Sequence, residues 1–201
     1  MEGIILEKFK QWVESYGSEE AKVALFKRVR DIPYAIVPEL RDPLAGPPGI
    51  LQLNKGSCQP KHYLLAIFLK QLGIAIKYAS YPFFWQEQPI KYPDEFRALL
   101  KELPASNHLA LKANINQRWV LVDAAYDLPL KKAGFPVNVD WDGRSDTINA
   151  VIPRAEILHD TPEQRLSFES GKRSLYTQEQ KKASEEFIAK LNIWLVELRR
   201  G

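Results

Sequence analysis

One cysteine, Cys58, is all the chain has, and that excludes an internal disulfide and any zinc site built on several thiolates. Long apolar runs are missing too: none approaches the ~20 residues that span a bilayer, so no membrane association is expected. No sign of charge dominates. Lys and Arg number 28 against 25 Asp and Glu, a formal net charge of +3, which is too small an excess to call for nucleic acid. The basic pairs Lys131-Lys132, Lys181-Lys182 and Arg199-Arg200 read as solvated surface. Glycine-rich phosphate loops are absent, and the three histidines have no recognisable ligand spacing, so neither cofactor nor metal is expected. The first residues carry acidic groups and no long apolar core, unlike a secretory signal. The expected setting is soluble, reducing and cytoplasmic, which suits a free thiol.

What remains is an ordinary globular composition, 45% apolar and 26% charged over 201 residues. That length suits one domain able to bury roughly two-thirds of its unfolded surface. Apolar residues at Ile5, Phe9, Trp12 and Val13 mark a helix over 4–15. Gly17 breaks it, and Ser18 is placed to cap a second helix with the stripe Val23, Phe26 and Val29. The prolines between Pro33 and Pro48 predict a loop. Residues 61–72 form a helix apolar around most of its circumference, hence central and buried, and Gly73 stops it. A strand over 74–80 follows, then the aromatic run Tyr81 to Trp85, read as core first and cleft wall second. A short helix runs from Pro93 to Leu103. Residues 126–153 look irregular, with short strands at 137–139 and 148–152, and 162–167 reads as a helical turn. The final helix opens at Thr177 with capping-box spacing to Gln180 and carries the stripe Phe187, Leu191, Trp194, Leu195 and Leu198.

Chemistry concentrates at Gly56-Ser57-Cys58-Gln59-Pro60. Ser57 can cap the helix, and Pro60 suits a first turn. A cysteine there gains from the first-turn N–H groups and the positive end of the helix dipole, both of which favour thiolate. Its own N–H can stabilise an oxyanion, with Gln52, Asn54 and Tyr34 as unranked further donors. Between His108 and Asp123, Leu109, Leu111, Val120 and Val122 alternate with other residues, the pattern of a half-buried hairpin. A turn at Ile115-Asn116, or a four-residue loop over 114–117, pairs positions that sum to 231 and sets His108 directly opposite Asp123, on the face away from the apolar set. A carboxylate so placed orients the imidazole and leaves the other ring nitrogen for a thiol. His62 shares a helix face with Cys58 at i, i+4, but its reach to the thiol's attack side is poor. It therefore reads as a surface residue or a support behind the site. His159 reads as a loop residue.

Gly56-Ser57-Cys58, the leucine-rich helix ending Gln71-Leu72-Gly73, His108, the strand Arg118-Trp119-Val120-Leu121-Val122-Asp123, and Val29-Arg30-Asp31-Ile32-Pro33-Tyr34 upstream together resemble the transglutaminase-like superfamily over roughly residues 20–126. The resemblance implies an α+β, papain-like fold with the cysteine helix packed on an antiparallel sheet and helices at both ends. It implies one domain over 1–201, with a core of about 20–153 and a C-terminal helical extension of about 161–200. It also implies Cys58 as nucleophile, His108 as base and Asp123 as orienting group, acting on an amide- or peptide-containing substrate, proteins included. Ser57 stands where calcium-dependent cross-linking enzymes carry tryptophan, so hydrolysis is favoured over cross-linking. The same order of cysteine, histidine and aspartate is similar to that of arylamine N-acetyltransferases, whose Arg-Gly-Gly-x-Cys signature is not present. The competing reading is a binding or scaffold module of this fold without turnover.

Overall fold

In the computed structural model, which describes residues 2–200, the chain is α+β: one antiparallel sheet of four strands with helices around it. The helices are α1 (Glu2–Val13), α2 (Ser18–Arg30), α3 (Gly46–Leu53), α4 (Cys58–Gln71), α5 (Arg97–Glu102), α6 (Pro162–Ser174) and α7 (Gln178–Arg200). The strands are β1 (Ile76–Phe83), β2 (Ser106–Ile115), β3 (Arg118–Val122) and β4 (Ile157–His159), in the spatial order β3-β2-β1-β4.

The cysteine helix lies against the sheet, as expected. Period-2 alternation puts Leu111, Ala113, Val120 and Val122 on one face with Ile76 and Tyr78 of β1. On that face the Tyr63 ring of α4 sits 6.0 Å from Tyr78. Phe9 and Trp12 of α1 pack on Phe68 of α4, at 5.9 and 5.6 Å between ring centroids, so α4 is enclosed from both sides. The stripe of α7 is buried at Phe187, Leu191 and Leu195, and each such burial stabilises by about 1.5–3 kcal/mol. Phe187 meets Trp85 and Phe96. The capping box of α7 is formed in both directions, Gln180 N to Thr177 Oγ1 and Thr177 N to Gln180 Oε1.

Several elements differ from the expectation. The segment Pro33–Pro48 is not all loop, because α3 starts at Gly46 with Pro47 and Pro48 in its first turn, where their missing N–H groups cost nothing. Gly17, not Ser18, occupies the cap position of α2, and Ser57 caps α4 by position without a side-chain bond. Strand β1 runs through Pro82. The Pro82 carbonyl accepts from Arg154 N on the side away from β2, so the missing N–H of the same residue faces that side as well. Residues 137–139 and 148–152 are not strands. The fourth strand is β4, and His159, expected in a loop, belongs to it and bonds Ser80. Helix α6 extends to Ser174, well past the expected turn, and opens with its own Thr161–Gln164 capping box.

The hairpin register also differs. Leu111 pairs with Val122 and Ile115 with Arg118, a sum of 233, so His108 is not directly opposite Asp123. The two turn residues are Asn116 and Gln117, both at positive φ (51° and 64°). A tight hairpin turn of this kind needs positive φ at both central positions, which β-branched Ile115 resists and Asn116 accepts. The shift moves each partner by two positions, and two preserves the face. His108 and Asp123 thus remain on one side of the sheet as diagonal neighbours.

Candidate active site

The segment before α4 fixes where Cys58 stands. Gly56 bridges to Tyr34 in a short parallel contact, with Gly56 N bonded to Pro33 O and Ala35 N to Gly56 O. Cys58 is the first residue of α4, so its N–H has no acceptor within the helix. Burial pushes the thiol's pKa up, but the His108 charge, a hydrogen bond to that ring, the Leu109 N–H and the charge of Arg165 together bring it below its ordinary value.

Fold and register then bring the other two residues to it. His108 Nε2 meets Asp123 Oδ2 at 2.7 Å, which leaves Nδ1 for the thiol. Burial alone would lower the His108 pKa. The charges of Asp123 and the thiolate outweigh it and raise His108 to about 10. Asp123 is 1% exposed and its position is over-determined. Ala150 N donates to Oδ2 and Ala125 N to Oδ1, while Thr147 Oγ1 accepts from Asp123 N. Burial would raise its pKa, but the His108 charge and these bonds hold it below the usual carboxylate value. Of the three residues named from the sequence, His108 bonds Asp123, and Cys58 borders the same cavity as His108.

Two side chains lie behind these residues, His62, which takes the supporting place of its two expected ones, and Lys61, for which the sequence suggested no role. His62 is fully buried rather than at the surface. Its Nε2 accepts from Ala124 N at 2.9 Å, so Nδ1 carries the proton and donates to Cys58 O at 2.8 Å. Burial drives its pKa down to about 4 although Asp123 Oδ1 lies 3.5 Å away. Lys61, also fully buried, gives its three donors to the carbonyls of Arg30, Ile32 and Ala125, and burial lowers its pKa to about 7. No pattern in the sequence announces either arrangement, because both depend on backbone groups, most of them from residues far off in the chain.

A third tie comes from α7. Arg199 forks onto both oxygens of Asp127 and also donates to Tyr34 O. Asp127 Oδ1 in turn accepts from Tyr34 N. Residues 123–127 and 33–35 are thereby held together at the cavity that Cys58 borders.

Cys58 and His108 open into a cavity of about 90 Å³ whose walls include Tyr34, Phe83, Trp85 and Tyr126. The aromatic run from Tyr81 is thus both core and wall. Of the unranked oxyanion candidates, Tyr34 borders the cavity, whereas Gln52 and Asn54 are exposed and do not. Among the described residues no group of three or more His, Cys, Asp or Glu is arranged to hold a metal ion. No described helix is long and apolar enough to cross a membrane.

No family model and no curated protein matches the chain. A solved chain from Cytophaga hutchinsonii described as "a Putative Cysteine Protease" is similar to it at 15% identity and a TM-score of 0.43, over 65% of this chain and 39% of that one. The chain spans about two-fifths of that protein's length, and no residue role is carried over from it.

Proposed function

We propose that the chain is a thiol-dependent acyl enzyme that hydrolyses or transfers the acyl group of an amide or peptide, on a papain-like core of transglutaminase-like type. The observation that supports this is that the Cys58 thiol and His108 border one cavity while His108 Nε2 bonds a buried, over-determined Asp123 carboxylate.

The Cys58 thiolate attacks the carbonyl carbon, forming the C–S bond while the carbonyl oxygen takes the negative charge. The unpaired Cys58 N–H at the start of α4 lies where it can stabilise that oxygen. His108, protonated near neutrality, passes its proton to the leaving nitrogen as the C–N bond breaks, and a thioester remains. Neutral His108 then takes a proton from water, or from an acceptor amine, as that nucleophile attacks the thioester and expels the thiolate. Asp123 keeps the imidazole aligned and stabilises its charged form throughout.

The test is the rate of Cys58 alkylation by iodoacetamide against pH, in the wild type and in His108→Ala. The expected inflection lies well below the free-thiol value of ~8.5 and moves up in the variant. Slow alkylation at every pH, indifferent to His108, would overturn the reading in favour of a module that binds without turnover.

A further inference from the structure

Beside the thiol, α6 carries Arg165, Glu169 and Arg173 at intervals of four residues; Glu169 and Arg173 share a groove with Arg41, which follows the short 3-10 turn Pro38–Leu40, and Arg165 lies enclosed behind them. Arg41, Glu169 and Arg173 border the Cys58 cavity and also an adjoining groove of about 580 Å³, a volume in the range of ligand clefts.

The charges do not balance. Glu169 is the single carboxylate among three guanidinium groups, meeting Arg165 at 3.3 Å and Arg173 more loosely at 3.9 Å. Arg41 makes no ion pair or side-chain hydrogen bond among the described residues. On α7, Lys181 and Glu185 border the groove and offset each other, and exposed Glu39 lies two residues from Arg41. Buried donors are unpartnered as well. Arg165 is fully enclosed behind the groove beside the Tyr63 hydroxyl, and its Nε and Nη1 have no acceptor. Gln59, 6% exposed and bordering both the cavity and the groove, has an unpartnered Nε2. Buried polar groups in folded proteins are nearly always satisfied, and guanidinium groups left open in this way suit planar or tetrahedral oxyanions.

We infer that Arg41 and Arg173, backed by Arg165 and Gln59, form a subsite for an anionic group, carboxylate or phosphate, carried by the amide substrate next to its scissile bond. The inference rests on the thiol reading above and names the substrate class of the same site.

Two alkylating reagents that differ in charge test it, iodoacetate and iodoacetamide. Their rate ratio at Cys58 cancels any general change in thiol accessibility or ionisation. In the wild type the iodoacetate-to-iodoacetamide ratio is expected to exceed that of a small free thiol by about five-fold. In Arg41→Gln/Arg173→Gln it is expected to fall toward the free-thiol value, the remaining excess being that of the His108 imidazolium beside the thiol, and rising salt should lower the wild-type ratio likewise. Both arginines are only partly buried, and either single substitution serves if the double variant does not fold. Protection by succinate or by inorganic phosphate, lost in the variants, identifies the anion as carboxylate or phosphate respectively. A ratio equal in wild type and variants with both reagents still reacting, or protection by neither anion, overturns the subsite and leaves the thiol mechanism standing. Failure of both reagents to react overturns the mechanism and the subsite together.

Discussion

His62 and His108 flank the same carboxylate. Their rings lie 5.8 Å apart, both are essentially without solvent, and each has one oxygen of Asp123 near it. One is held neutral down to about pH 4 and the other stays charged up to about pH 10. Burial acts on both in the same direction, against charge, so what differs is the bonding. On the α4 side the backbone supplies a donor, Ala124 N–H, to His62 Nε2, and that nitrogen cannot also point a proton at Asp123. On the cavity side His108 Nε2 has the carboxylate to itself at 2.7 Å, and the thiolate adds a second negative charge. Distance to a carboxylate does not decide the charge of a buried histidine; the partner of each ring nitrogen does.

Removing the shared charge should collapse the contrast. In Asp123→Asn the amide can still hydrogen-bond, but it neither stabilises an imidazolium nor fixes the same tautomer. His108 should then titrate near or below its ordinary value, as His62 does. Turnover of an amide substrate should fall on the order of 10³–10⁴-fold, read as kcat/KM with an NMR titration of His108 alongside. Retention of a high His108 pKa in that variant would mean that the thiolate alone sustains the charge.

A smaller effect isolates the His62 side. His62→Leu leaves Ala124 N–H without a partner in the interior, at a cost of about 1–3 kcal/mol, and takes from Cys58 C=O its second donor, the helix bond from residue 62 remaining. Urea midpoints measure the loss, and His62→Gln, which keeps a donor and an acceptor, should recover part of it. The inflection for thiol alkylation should move less in both variants than in Asp123→Asn. An equal movement would show that His62 shares in charging the site.

Acid reads the same difference more gently. The folded-state pKa of His62 lies below its unfolded value of 6.5, so the unfolded chain binds more protons between about pH 6.5 and 4. Stability from this group is complete above 6.5 and is lost as pH falls through that window, by up to about 1.4 kcal/mol per pH unit. The slope over this window should be shallower in His62→Gln. For His108 the sign reverses. Its raised pKa contributes stability that is complete below pH 6.5 and lost as pH rises through about 10. Amide turnover should decline over that same alkaline limb, because the leaving nitrogen then lacks its proton, while alkylation, which needs only thiolate, should not decline.

The sequence discloses the cavity side of this comparison and hides the other. Cys58 at a helix start, the alternation from Leu109 to Val122 and a polar residue at each end of the hairpin are local patterns, and parity kept His108 and Asp123 on one face despite the shifted register. His62 stayed undecided between surface and support because its partners, Ala124 N–H and Cys58 C=O, are backbone groups that leave no mark in residue type. Strand β4 escaped because three residues show no periodicity. Proline in a strand at Pro82 and in a helix start at Pro47-Pro48 violated rules whose exceptions depend on which neighbour lies alongside. The connection from Asp123 to β4 lacks the two short strands expected in it and holds a 3-10 helix at Leu128–Ala133, but it is well tied. Asn138 donates to Asp123 O and Ile148 O, and Asp146 accepts from Leu121 N.

The clasp of Arg199 on Tyr34 and Asp127 joins positions 165 and 72 residues apart, and this bears on the order in which the molecule is assembled. During synthesis, β1, β2 and β3 can pair with α4 once residue 122 has emerged, and the hairpin, being local, should form early. The segments at 33–35 and 123–127 beside the thiol can already bond each other and Lys61, but the Arg199 clasp and the α7 wall of the cavity wait for α7. A nascent chain would therefore carry its cysteine on a formed helix before its surroundings are closed, and the last contacts to form would be those that shape the cavity.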